Sequence, residues 1–160
     1  MFLAMGATTG QYDIVIWDVF NDLSAPFHLT TVEFNRMVKA RLAPGGIYMV
    51  NIIDDYRHGR YLASFVKTMQ AAFENVYLLG TAGEASWREP GLANYVVVAS
   101  DRPVDMDAYL RFLTATGSSF RSRPLDSTAL AAFLNSREAM LLSDDRAPTE
   151  VLMAPLFLRP

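Results

Sequence analysis

Apolar positions along the chain alternate between two spacings. Tyr12 to Trp17 (Tyr-Asp-Ile-Val-Ile-Trp) is a short, nearly continuous apolar run rich in β-branched residues, which predicts a strand buried on both faces. Thr30 followed by Glu33 makes a capping-box signal, and Phe34, Met37, Val38 and Leu42 then recur at helical spacing. Ala43-Pro44-Gly45-Gly46 predicts the end of that helix and a turn. Ile47 to Ile53 is a second apolar, β-branched run. Beyond the polar patch Asp54 to Arg60, the residues Leu62, Phe65, Val66, Met69 and Phe73 mark one side of a second helix. Asn75 to Gly80 and Asn94 to Ser100 predict two more strands joined by the loop Thr81 to Ala93. Asp105 to Thr116 and Ser127 to Asn135 carry weaker helical patterns, the first marked by Met106, Tyr109, Leu110 and Leu113. The chain has no internal repeat and no low-complexity segment.

Strand, helix, strand, helix, strand at these spacings predicts right-handed crossovers onto a parallel sheet. The last two strands are close in sequence, which predicts one antiparallel hairpin at the sheet edge. In sheets of this kind ligands sit beyond the carboxyl ends of the parallel strands. Two polar clusters fall there, Asp18 to Asp22 and Asn51 to Asp55.

Composition narrows the function classes. The 160 residues suit a single domain, and with 51% hydrophobic and 19% charged residues the chain is of the packed globular kind. A net charge of −3 without basic runs gives no footprint for nucleic acid. Cysteine is absent, which removes disulfides, thiolate metal sites and thiol nucleophiles. His28 and His58 stand apart in the sequence, so no metal site is expected. The longest apolar stretch, Val151 to Leu158, is too short to span a bilayer and is interrupted by Pro155. The first residues lack a basic region and a long apolar core, so a cytoplasmic location is expected.

The run Asp13-Ile14-Val15-Ile16-Trp17-Asp18-Val19-Phe20-Asn21-Asp22, continued by Pro26-Phe27-His28-Leu29-Thr30-Thr31 and Glu33-Phe34, resembles the central segment of bacterial spermidine synthase-like proteins. The forms fused to membrane transporter domains are the nearest of these. Leu42 to Tyr48, Val50 to Asp55 and the late segment Leu142-Ser143-Asp144-Asp145-Arg146-Ala147-Pro148 extend the resemblance over nearly the whole chain. It implies a doubly wound α/β, Rossmann-like methyltransferase-type fold. Residues 1–160 would be the C-terminal portion of a catalytic domain, with a mostly parallel sheet and one antiparallel strand inserted between the second strand and Asn75 to Gly80. The implied reaction is aminopropyl transfer from decarboxylated S-adenosylmethionine to a polyamine.

The same resemblance places the catalytic aspartate at Asp18, where a carboxylate accepts the proton of an alkylammonium acceptor. The bottom-up alternative for Asp18 is a cap of the following loop. The family's second aspartate falls on Asn21, with Asp22 one residue further, so either Asp22 takes that role or amine binding is altered. His28 is either a substrate-orienting imidazole or a turn residue bonded to backbone. Asp54 and Asp55 either meet a cationic acceptor or cap the next helix. Asp144 and Asp145 either fold back over the pocket or are plain loop carboxylates.

No Gly-x-Gly loop follows a strand before the first helix, and no ribose-binding acid is in place. The resemblance assigns both to upstream strands, so cofactor-binding residues are expected outside this chain. The chain alone is then expected to bind neither decarboxylated S-adenosylmethionine nor S-adenosylmethionine, and to be inactive. Two alternatives stay open: methyl transfer from S-adenosylmethionine, and a non-catalytic truncated association module. Either way the first strand would expose an unpaired edge, a route to a homo-oligomer.

Overall fold

The computed structural model describes residues 10–18, 25–119 and 122–154. In chain order the elements are β1 (Tyr12–Trp17), a 3-10 turn (Phe27–Leu29), α1 (Val32–Lys39), β2 (Leu42–Asp54), α2 (Tyr61–Gln70), β3 (Asn75–Gly80), α3 (Ala85–Arg88), β4 (Ala93–Ser100), α4 (Met106–Ala115), β5 (Arg123–Pro124), α5 (Ser127–Ser136) and α6 (Thr149–Met153).

The sheet order is β1-β2-β4-β3-β5. β1 and β2 pair in parallel, while β4 lies antiparallel between β2 and β3. Three of the four long strands therefore share one direction, and the hairpin strand is inserted as expected. Because of that insertion, the β1/β2 pair is the one parallel ladder among the described residues. The short β5, antiparallel to β3, has no counterpart in the sequence reading. A strand of two residues is too short to leave a period-2 signal.

The Ala-Pro-Gly-Gly stop takes a different form from the turn expected of it. Tyr12 pairs with Leu42 and Ile14 with Ile47, so Ala43 to Gly46 bulge out at the start of β2. Gly45 takes φ 85°, a conformation that side-chain-bearing residues avoid.

Alternation separates the two faces of the sheet. Trp17, Tyr48, Val50, Ile52, Leu78, Tyr95 and Val97 are buried on the face that carries α1 and α2. Helix α2 is buried on nearly all sides, since α5 and α6 pack against it from beyond the sheet. Burying one large apolar side chain contributes about 1.5–3 kcal/mol, so this layer is the source of stability. The opposite face carries Ile14, Ile16, Ile47, Met49, Val96 and Val98. Met106 and Tyr109 of α4 lie over its far part, around a cleft of about 320 Å³. At β1 this face is open, with Ile14 56% and Ile16 66% exposed. The expectation of a strand buried on both faces is thus corrected: among the described residues nothing covers the second one.

Helix α1 begins one residue later than the capping-box reading. Thr31 is the cap, accepting from the Phe34 N–H, while the Thr30 hydroxyl donates to the Phe27 carbonyl and closes the 3-10 turn. Asp105 and Asp126 cap α4 and α5 in the same way.

The tail after α5 is fastened along α2. Ser64 and Thr68 donate their hydroxyls to carbonyls one turn back and accept from the N–H groups of Met140 and Leu142. The match is geometric: four residues of helix rise ~6 Å, close to the ~6.6 Å of two extended residues. Lys67 adds a bond from its ammonium to the Ala139 carbonyl.

Candidate functional site

The parallel register of β1 and β2 decides what meets at their carboxyl ends. Trp17 pairs with Val50, which brings the next residues, Asp18 and Asn51, side by side. The Asn51 amide Nδ2 donates to Asp18 Oδ1 at 3.0 Å. Asp18 is exposed and Asn51 half-buried, so the pair faces solvent over a rigid strand end. One residue of each polar cluster read from the sequence, Asp18 and Asn51, therefore meets the other at the strand ends. Asn21 and Asp22 lie outside the described residues.

A second grouping joins the 3-10 turn, α1 and the tail. His28, Glu33 and Asp144 line a cleft of about 330 Å³ whose walls include Phe27, Phe34 and Met37. The tail reaches it through two bonds: the Val32 N–H donates to the Leu142 carbonyl, and the Asp144 N–H to Glu33 Oε2 at 3.1 Å. The Asp144 segment thus lies against the start of α1. Asp145 is exposed in the turn closed by Ser143 and Arg146. His28 also borders a neighbouring cleft formed with Ala147 to Val151.

The third grouping, Asp54 and Asp55, is bound inward. Asp54 is fully buried; its Oδ1 accepts from the Asp55 N–H at 2.8 Å and its Oδ2 from the Leu62 N–H at 2.6 Å. Leu62 is in the first turn of α2, so Asp54 satisfies a helix N–H that would otherwise lack a partner. Burial drives its carboxyl up from the ordinary 3.8 to about 6, against the pull of the Leu62 and Asp55 N–H groups. Asp55 differs. Burial alone would raise it, but the His58 side chain and the N–H groups of Arg57 and Gly91 outweigh burial and hold it below its ordinary value. Its Oδ2 meets His58 Nδ1 at 3.0 Å, and its Oδ1 accepts from Arg57 and His58 N–H. Together the two aspartates shape the loop between β2 and α2.

Sequence reasoning gave Glu33 and His58 no chemical role, and placed Asn51 in a ligand-side polar cluster without a role of its own. Asn51 carried a signal: it is a polar residue of poor strand propensity among the apolar outer-face positions Ile47, Met49 and Ile53. Glu33 was read only as a capping residue. The Asp55–His58 pair is a local contact three residues apart and has no distinctive pattern. Among the described residues no group of three or more His, Asp or Glu could hold a metal ion, and no helix is long and apolar enough to cross a membrane.

Comparison with known proteins agrees with the resemblance read from the sequence. No family model matches the chain. A probable polyamine aminopropyl transferase of Bifidobacterium longum is 26% identical over 160 residues, covering 92% of this chain and 35% of that protein. The matched stretch is the C-terminal part of that relative. Among solved structures, a probable spermidine synthase from Corynebacterium glutamicum superposes with a TM-score of 0.67 at 25% identity, over 87% of this chain and 50% of that one. The spermidine synthase from Thermotoga maritima matches with a TM-score of 0.52 at 12% identity, over 82% of this chain and 43% of that one, a likeness of fold alone. The chain therefore spans about a third of its curated relative and half of the Corynebacterium protein. Over most of its length it is similar to these spermidine synthase-like proteins, and its fold is Rossmann-like α/β.

Proposed function

From this likeness to the C-terminal part of spermidine synthase-like proteins, we propose that the chain serves aminopropyl transfer from decarboxylated S-adenosylmethionine to a polyamine, as one portion of a larger catalytic domain. The observation that carries the reading is Asp18, an accessible carboxylate held by Asn51 at the carboxyl end of a parallel strand. An alkylammonium acceptor with a pKa near ~10 arrives protonated and cannot attack. Asp18 takes one proton from it. The freed nitrogen lone pair forms a bond to the aminopropyl carbon attached to sulfur, and the bond from that carbon to sulfur breaks with its electrons going to sulfur. The sulfonium becomes a neutral thioether, the product nitrogen stays protonated as a secondary ammonium, and the proton taken by Asp18 passes to solvent. Acidic surroundings draw both cationic reactants to the site.

Of the remaining acidic residues, Asp144 and Glu33 border an accessible cleft with apolar walls, which suits a chain of methylenes ending in an ammonium. Asp54 and Asp55 are committed to backbone N–H groups, and their part is to shape the loop beside the site. The adenosyl group would be held by portions of the domain outside this chain.

The test is an assay of the full-length protein with a panel of polyamines, supplied in parallel with decarboxylated and intact S-adenosylmethionine. Aminopropylated product is expected, and Asp18→Asn should reduce its formation by about 100- to 10,000-fold with little change in sulfonium KM. Methylated product instead would establish the methyltransferase alternative. Near-normal turnover of Asp18→Asn would make Asp18 structural.

A further inference from the structure

We infer that Asn51 is a positioning residue for Asp18, one that selects which carboxylate oxygen takes the proton; the inference rests on the aminopropyl-transfer reading above. An ionised carboxylate only accepts hydrogen bonds, so the Asn51 amide must turn its NH₂ toward Asp18. That bond occupies Oδ1 and leaves Oδ2 for the acceptor amine.

The two residues have unequal backbone support. Asp18 is the first residue beyond β1, an edge strand among the described residues. Asn51 is in β2, paired with β1 on one side and opposite Val96 of β4 on the other. Its flanking residues Val50 and Ile52 are fully buried. A group on a doubly paired strand is held more closely than one on a strand end, so Asn51 is the fixed point and Asp18 the group it orients. The local sequence supports this direction. Asn51 interrupts the apolar outer-face series Ile47, Met49 and Ile53 and no described residue other than Asp18 receives its amide N–H. A residue that breaks the strand pattern without serving the core marks a site rather than the scaffold.

The experiment is a double-mutant cycle in the full-length protein, with turnover and sulfonium KM measured for wild type, Asn51→Leu, Asp18→Asn and the pair, and Asn51→Gln as the variant that keeps a donor. Asn51→Leu is expected to lower kcat by up to about 100-fold, the scale of a misplaced reacting group, with sulfonium KM unchanged. Asn51→Gln should recover part of the loss. In the Asp18→Asn background the Leu substitution should change kcat by less than about twofold, because the two residues act through one contact. Equal losses in both backgrounds, or a normal kcat for Asn51→Leu, would overturn the inference while leaving the proposed function standing. A wild-type protein that transfers no aminopropyl group removes the proposed function and this inference with it.

Discussion

The Asp54 carboxylate fills the space that a side chain at Gly59 would need. A Cβ built on Gly59 falls within contact distance of all three terminal atoms of Asp54. Neither partner is free to move. Asp54 is fully buried and holds the Asp55 and Leu62 N–H groups, while the Gly59 N–H donates to the Asp55 carbonyl at 2.6 Å. Glycine is required here by close approach and not by a left-handed backbone. Gly59→Ala should therefore destabilise the protein by about 1–3 kcal/mol, as overpacking does. Urea unfolding measures it, and an unchanged midpoint would mean that the loop has room to relax.

Asp54 also makes a pH prediction whose sign is opposite to that of most carboxylates. Its carboxyl titrates near about 6 in the folded protein against 3.8 ordinarily, so between those values the folded state binds more protons than the unfolded one. Stability from this group is full below about pH 4 and declines as pH rises through about 6. The two-unit difference corresponds to about 3 kcal/mol at most. Asp55 works in the other direction: its carboxyl is depressed, so its contribution is present above the ordinary carboxylate range and fades on acidification. Comparing wild type with Asp54→Asn separates the two. The advantage of wild type over the variant should be larger at pH 4 than at pH 7, and a difference that is flat or grows with pH would contradict the buried carboxyl.

These relationships show which parts of the molecule were legible beforehand. The strands could be read because long apolar runs and crossover lengths are set by burial over many residues, while the insertion of Asn94 to Ser100 between its neighbours was implied only by the family resemblance. The start of α1 was off by one because Thr30 and Thr31 are both hydroxyl residues, and only geometry tells which one meets an N–H. The aspartates were ambiguous for a similar reason: a carboxylate after a strand serves a ligand or a helix N-terminus equally well. Burial decides for Asp54, and exposure leaves Asp18 available. The contact between Asn51 and Asp18 depends on a parallel register with the Ala43 to Gly46 bulge included, which no local pattern encodes.

The fastening of the tail gives a third prediction. Thr68 Oγ1 accepts from the Leu142 N–H at 2.9 Å, and both residues are fully buried. Thr68→Ala leaves that N–H without a partner and should cost about 1–3 kcal/mol. Because the same tail carries Asp144 to Glu33, the substitution should also raise protease sensitivity between residues 139 and 148 in the folded protein. Thr68→Ser, which retains the hydroxyl, should lose much less. If both variants unfold alike, the lost methyl packing and not the hydrogen bond holds the tail.

The last prediction concerns β1. Among the described residues it pairs only with β2, and its outer face presents Ile14 and Ile16 to solvent beside Ile47 and Met49. An exposed apolar face on a strand at the side of a sheet supplies the driving force for a second copy to pack or add there. The 160-residue chain by itself should therefore self-associate in a concentration-dependent way, which sedimentation velocity across a dilution series would reveal. Ile16→Lys places a charge on the open face without touching the buried residues Trp17 and Val50, so it should reduce association while leaving the fold intact by circular dichroism. Ile14→Lys should act in the same direction. A Lys substitution on Leu141, an exposed apolar residue of the tail outside the sheet, should have no effect. A chain that stays monomeric throughout, or association that survives both β1 substitutions, would show that the β1 edge is not the contact.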